Sequence, residues 1–198
     1  TKKERIRSNL KDSDSRDRLD IVSLHWGVYG AEHMMQPSPE QVSFARDLID
    51  RGADVILGHH SHTFQPVERY GGGVIAYSLG NFVFDMWREK NRKSGILKIV
   101  VDDGIEAAIL PTEQVDYRVR FTDEDFIRDV QNASVEWKSM EAYRAASSRV
   151  RRRHKFDVIK QFAANSYRFP PKYHVSTYGR WIGKAKRELI ETMENVRQ

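Results

Sequence analysis

Cysteine is absent from the 198-residue chain. That excludes disulfides, thiolate nucleophiles and sulfur-ligated zinc or iron–sulfur centres. Any metal must be held by imidazole, carboxylate, amide or water. Long hydrophobic runs are missing too: nothing approaches the roughly eighteen consecutive apolar residues that a membrane-spanning helix needs, and no secretory-signal pattern opens the sequence at Thr1. There is no Gly-x-Ser-x-Gly elbow, no Walker-type phosphate loop and no dinucleotide fingerprint. Gly71-Gly72-Gly73 lacks both the spacing and the strand-to-helix setting of such loops. Among the enzymatic classes, metal-assisted hydrolysis survives these exclusions, because a bound metal can activate water without a protein nucleophile.

The length favours one domain, with room for an appendage. The formal net charge is +5, but the excess is uneven. Much of it lies in "RVRRRHKFDVIK" (149–160) and "RWIGKAKRE" (180–188), interleaved with acids and apolar residues at helical spacing. With no motif of a common nucleic-acid-binding fold, these stretches read as solvated helix faces. Nucleic acid is therefore not the expected partner, whereas an anionic surface or polymer is compatible with the charge.

Up to about residue 113 the pattern alternates helix and strand. "TKKERIRSNLKDS" reads as a polar helix and its exit. "LDIVSLHW" (19–26) reads as a short buried parallel strand. In "SPEQVSFARDLIDRGAD", Ser38 is a good N-cap, Pro39 stands at the first helical position and Gln41 at the reciprocal capping position. Val42, Ala45, Leu48 and Ile49 share one face, and Gly52 ends the helix. "DVILG" (54–58) is a second strand, which predicts a right-handed crossover and parallel pairing. Hairpins are expected at Gly71-Gly72-Gly73 and at Asp103-Gly104. From Thr122, taken as an N-cap, long helical patterns run to the end, broken at Pro170-Pro171.

Ligands of parallel sheets collect beyond the carboxyl ends of the strands. There the sequence places His25 after one strand and His59, His60 and His62 after the next. His60-x-His62 in a loop can converge on a metal, with Gly58 expected to let the backbone turn sharply at the strand end. His25 is a further ligand or a group on substrate, or simply a strand-end histidine. Asn81 in "SLGNF" can offer its amide to a metal or an oxyanion, or can be a turn residue beside Gly80. Glu68 and Asp85 are nearby carboxylates without further context. His33, His154 and His174 read as ordinary surface or core histidines.

"DIVSLHWG", "QPSPEQVSFARDLIDRGADVILGHHSHTFQPVERY" and "GGVIAYSLGNFVFD" resemble the later motifs of the CapA family. These are poly-γ-glutamate capsule biosynthesis proteins with a calcineurin-like metallophosphoesterase fold. The resemblance covers about residues 18–86. It implies an α/β fold, part of a sandwich of two β-sheets flanked by helices, with an α-helical C-terminal extension. Residues 1–115 would then be the C-terminal half of the metallophosphoesterase-like domain and 116–198 the extension. By the same resemblance, His60 and His62 match the Gly-x-His-Pro-His pair as metal ligands, with Ser61 in place of the proline and His59 at the variable position. His25 belongs to His-Trp-Gly, as a metal ligand or catalytic group. Asn81 is a catalytic or substrate-binding residue. Tyr29 stands where many members carry glutamate, and Glu32 is the substitute for substrate binding. Divalent manganese, zinc or iron is the implied cofactor. The family's earlier motifs, which supply aspartate and asparagine ligands, have no counterpart in residues 1–18. The chain is therefore expected to be completed by a missing N-terminal half or a second chain, and family members are often exported or membrane-associated. Two functions follow: a metal-dependent hydrolase or biosynthesis protein of poly-γ-glutamate or a related anionic cell-surface polymer, or a non-catalytic scaffold for a polyanion or membrane-associated partner.

Overall fold

In the computed structural model the described residues are 2–10, 18–28, 31–84, 89–123, 125–132 and 137–165. The chain falls into two units, residues 1–151 and 152–198, each considered by itself. Pro170-Pro171, the helical pattern after it, His174, Tyr29 and Asp85 lie outside the described residues.

The first unit is mixed α/β. Helix α1 (Lys2–Asn9) leads to strand β1 (Ile21–His25), helix α2 (Pro39–Asp50), strand β2 (Val55–His59) and the hairpin of β3 (Val67–Tyr70) with β4 (Gly73–Ala76). The short helix α3 (Glu89–Arg92) opens onto β5 (Lys93–Val101), β6 (Ile105–Val115) and β7 (Arg118–Phe121), followed by α4 (Asp125–Asn132) and α5 (Met140–Asn165). One sheet has the order β1-β2-β4-β3, parallel except for β3, and the other is the antiparallel β5-β6-β7. Gly95 N–H donates to Leu79 O at 3.1 Å and Phe64 bridges Leu79, which ties the second sheet to the first.

Helix α2 forms where its caps dictate. Ser38 Oγ accepts from Gln41 N–H and Gln41 Oε1 accepts from Ser38 N–H, at 3.2 and 3.0 Å, so two otherwise orphaned amides are satisfied. Gly52 (φ 94°) supplies the left-handed exit. The face toward the sheet is Phe44, Ala45, Leu48 and Ile49, which pack with Leu24, Ile56, Ile75 and Tyr77. Burying Leu48 completely contributes about 1.5–3 kcal/mol. Helix α1 is polar, and it is held by Ile6 and Leu10 on the same core and by Arg7 Nε donating to Asp47 Oδ2 at 2.6 Å. Lys3 and Arg7 also lie over the Phe44 ring.

Three local expectations are corrected. The 19–26 segment is parallel to β2, but it is not a buried strand: among the described residues it forms the edge, only Leu24 in β1 is buried, and Ile21 is 50% exposed. Thr122 does not cap a helix. Its N–H donates to Pro111 O at 3.1 Å, which continues the β6–β7 ladder, and α4 starts only at Asp125. Strand β7 itself was not expected. Its turn uses Asp116 and Tyr117, both at positive φ, without the glycine or asparagine that marks such turns. The expected boundary after residue 115 falls in this turn.

Candidate metal centre

Parallel pairing puts His25 directly opposite His59, at the carboxyl ends of β1 and β2. The chain then turns back, so that His60 Nδ1 lies 3.1 Å from His25 Nε2, the two rings edge to face. Residues 35 apart in sequence thus meet where the topology predicted. Glu32 stands beyond them, with Oε1 3.8 Å from His60 Nε2. His59 itself is exposed, and its carbonyl accepts from Trp26 N–H at 3.3 Å.

The backbone does not turn where expected. Gly58 is inside β2, and its lack of a side chain serves close approach: a Cβ there would lie 2.0 Å from Tyr77 O and 2.5 Å from Trp26 Nε1. The indole N–H of Trp26 donates to that carbonyl at 3.1 Å, and its ring stacks on Tyr77. Trp26 therefore clamps the end of β1 across β2. The turning is done by the histidines themselves, with φ 117° at His60, 56° at His62 and 70° at His33. Non-glycine residues in this region cost about 1–3 kcal/mol each and persist only when their surroundings hold them. Here the hold is explicit. His33 N–H donates to Ser61 O, Ser61 Oγ to Thr63 O, and Thr63 Oγ1 and Gln65 Nε2 both donate to Met34 O. Gly27, at φ 128°, gives the His60 ring its space, since a Cβ there would come within 2.7 Å of it.

His62 points to a different partner: its Nδ1 is 2.8 Å from Asn81 Oδ1, and its ring lies 5.1 Å from that of Phe84. Asn81 is buried, and the left-handed residue of its segment is Gly80. Sequence reasoning missed two residues here. His33, 7% exposed, has Nδ1 3.0 Å from Asn91 Nδ2, and Asn91 is fully buried against His62 O. The "REKNRKSG" context of Asn91 carries no signal for such a role. Glu68 is elsewhere, accepting from Arg46 and from the Tyr77 hydroxyl.

Burial pushes the His60 pKa below its ordinary 6.5, opposed by the Glu32 carboxylate and reinforced by His25 and His62. Partial desolvation of its ring, then His25, does the same to His59, although much of that residue is exposed. The neutral imidazole, whose lone pair can bind a metal, is thus favoured at these two positions. Two nitrogens on one ion with bonds of about 2.0–2.1 Å stand about 2.9–3.4 Å apart, which matches the His25–His60 spacing. Among the described residues the buried His60 Nε2 has no hydrogen-bond partner. The donors fit a divalent ion in kind and spacing but form only part of a shell, for among the described residues no group of three or more metal-ligating side chains converges.

Residues 1–86 match the family described as Bacterial capsule synthesis protein PGA_cap. The chain is 43% identical over 88 residues to the PGA biosynthesis protein CapA of Bacillus subtilis (strain 168), covering 43% of this chain and 22% of that protein. It is 41% identical over 85 residues to the capsule biosynthesis protein CapA of Bacillus anthracis, covering 43% and 20%. A probable polyglutamine synthesis accessory protein of Mycobacterium tuberculosis is 43% identical over 67 residues, covering 34% and 17%. The matched residues 1–86, which carry every histidine of the candidate centre, are thus similar to the CapA proteins. It spans about a fifth of the length of these curated relatives.

Proposed function

We propose that this chain carries the histidine side of a divalent-metal site acting in poly-γ-glutamate or related anionic cell-surface polymer metabolism. The observation that carries the reading is the 3.1 Å approach of His25 Nε2 to His60 Nδ1 at the joined ends of β1 and β2, in the segment that matches the family. His25, His60 and His62 would hold the ion, with His59 at the margin and Glu32 beside His60. The remaining donors would come from a further segment or a second chain. A bound ion would supply Lewis-acid activation of water or of a carbonyl or phosphoryl oxygen, which makes metal-dependent hydrolysis the reaction class. Manganese, zinc and iron all suit imidazole and oxygen donors. On this reading the two sheets are layers of a metallophosphoesterase-like sandwich.

The test is metal content by mass spectrometry on protein purified without chelator, for wild type beside His60→Ala/His62→Ala. Metal bound near stoichiometry and lost in the double variant supports the site. Equal metal in both, or none in wild type, refutes it for this chain.

A second reading has its own observation. Arg152, Arg153, Lys155 and Lys160 are exposed on the second unit's part of α5, a surface suited to an anionic polymer or membrane-associated partner without catalysis. Salt-sensitive binding of poly-glutamate in metal-free protein would favour it.

A further inference from the structure

The side-chain amides around His62 leave little freedom in how their atoms are assigned. Asn81 Nδ2 faces two carbonyl oxygens, Asn91 O at 3.0 Å and His62 O at 3.4 Å. Neither carries a hydrogen, so the group facing them must be the donor NH2. The Asn81 oxygen is then the atom 2.8 Å from His62 Nδ1, and that nitrogen must carry the proton. The same reasoning fixes Asn91. Its Nδ2 also faces His62 O, and its second hydrogen points to His33 Nδ1. Turning this amide over would set its oxygen against a carbonyl. It therefore stays as it is, even though Asn91 Oδ1, in a fully buried side chain, has no partner among the described residues. Asn91 thus acts twice: its carbonyl orients Asn81, and its amide holds the backbone of His62 at φ 56°.

We propose that Asn81 and Asn91 form a positioning pair that fixes His62 as the Nδ1–H tautomer and leaves Nε2 as its lone-pair nitrogen. Asn81 is then a positioning residue that acts through His62. The ring nitrogen a histidine offers to a ligand is set by the hydrogen bond its other nitrogen makes. The tautomer itself follows from geometry; its use, to give a metal Nε2, rests on the function proposed above.

The experiment is long-range 1H–15N correlation of the imidazoles in 15N-labelled full chain at about pH 8, where neutral histidine predominates. His62→Ala assigns the resonance. In wild type, His62 is expected with a pyrrole-type Nδ1 and a pyridine-type Nε2. In Asn81→Leu it is expected to shift toward the Nε2–H form that an unconstrained histidine side chain favours, and Asn91→Leu is expected to give a mixture. A wild-type His62 in the Nε2–H form overturns the proposal, even if neither variant folds. So does an unchanged tautomer in Asn81→Leu that melts cooperatively. In parallel, Zn2+ titration by calorimetry is expected to lose about 10–100-fold in affinity in Asn81→Leu. A Nδ1–H tautomer with no Zn2+ binding leaves the proposal standing and removes the metal reading. Zn2+ binding with the opposite tautomer does the reverse.

Discussion

Gly58→Ala is the substitution for which the structure gives the sharpest expectation. The added methyl would sit 2.0 Å from Tyr77 O, 2.7 Å from Tyr77 C and 2.5 Å from Trp26 Nε1. The first two are backbone atoms of the segment after β4, so no side-chain rotation relieves the clash. Either β2 separates from β4 at its end, or Trp26 is expelled and its bond to Tyr77 O is lost. Overpacking of this kind costs about 1–3 kcal/mol. If Trp26 is expelled, the loss of its hydrogen bond to Tyr77 O costs about 0.5–1.5 kcal/mol more. The loss is about 1–3 kcal/mol if the strands part and about 1.5–4.5 kcal/mol if Trp26 is expelled, which at a urea dependence near 2 kcal/mol per molar moves the unfolding midpoint down by at least about 0.5 M and by up to about 2 M. Circular dichroism against urea measures this, with Gly104→Ala as control. No atom lies within 4 Å of a Cβ at Gly104, so that variant should be neutral or slightly stabilised. A Gly58→Ala midpoint within about 0.5 M of wild type would refute the assigned role of this glycine, and with it the account of how Trp26 fixes the end of β1.

Two further predictions use the same unfolding assay. Ser38→Ala removes the acceptor for Gln41 N–H in a fully buried cap and should cost about 1 kcal/mol; no loss would mean that Gln41 or water replaces the bond. The second concerns pH. Because His59 and His60 bind protons less readily folded than unfolded, the unfolded chain takes up more protons. Their contribution is then complete above the ordinary value of 6.5 and is lost as pH falls from there toward the lower folded values. The midpoint should drop across that window, and His60→Gln should flatten the profile. A stability that rises on acidification to about pH 5 would contradict the direction.

How much was legible in the sequence differs by element, and the reasons are physical. Helix α2 was readable because Ser38, Pro39, Gln41 and Gly52 each act within one turn of their own position. The meeting of His25 with the 59–62 cluster was readable because parallel pairing of two short strands forces their ends together. What could not be read depended on partners distant in sequence. The edge position of β1 is a property of strand order, which composition does not reveal. Gly58 looked like a hinge because glycine so often is one; that Tyr77 O would occupy its Cβ position depends on a contact 19 residues away. β7 was hidden by a turn of Asp116 and Tyr117 in place of the usual residues. Asn91 was hidden by its charged neighbours.

Strain and support in the site belong to one construction. His33, His60 and His62 are three of the five non-glycine residues at positive φ among the described residues, and each of the three meets the other histidines or the amides around them. An unconstrained loop would relax such conformations, since each costs about 1–3 kcal/mol. The carbonyl of Met34 accepts two side-chain donors, and the carbonyl of His62 accepts two side-chain amides. Trp26 reaches across Gly58 to anchor β1. These bonds act on the backbone that carries the imidazoles more than on the imidazoles' exposed faces. The fold thereby fixes the backbone beneath the histidines in advance, and on the proposed reading a ligand would find them already ordered, so that little of its binding energy would be consumed in ordering the site.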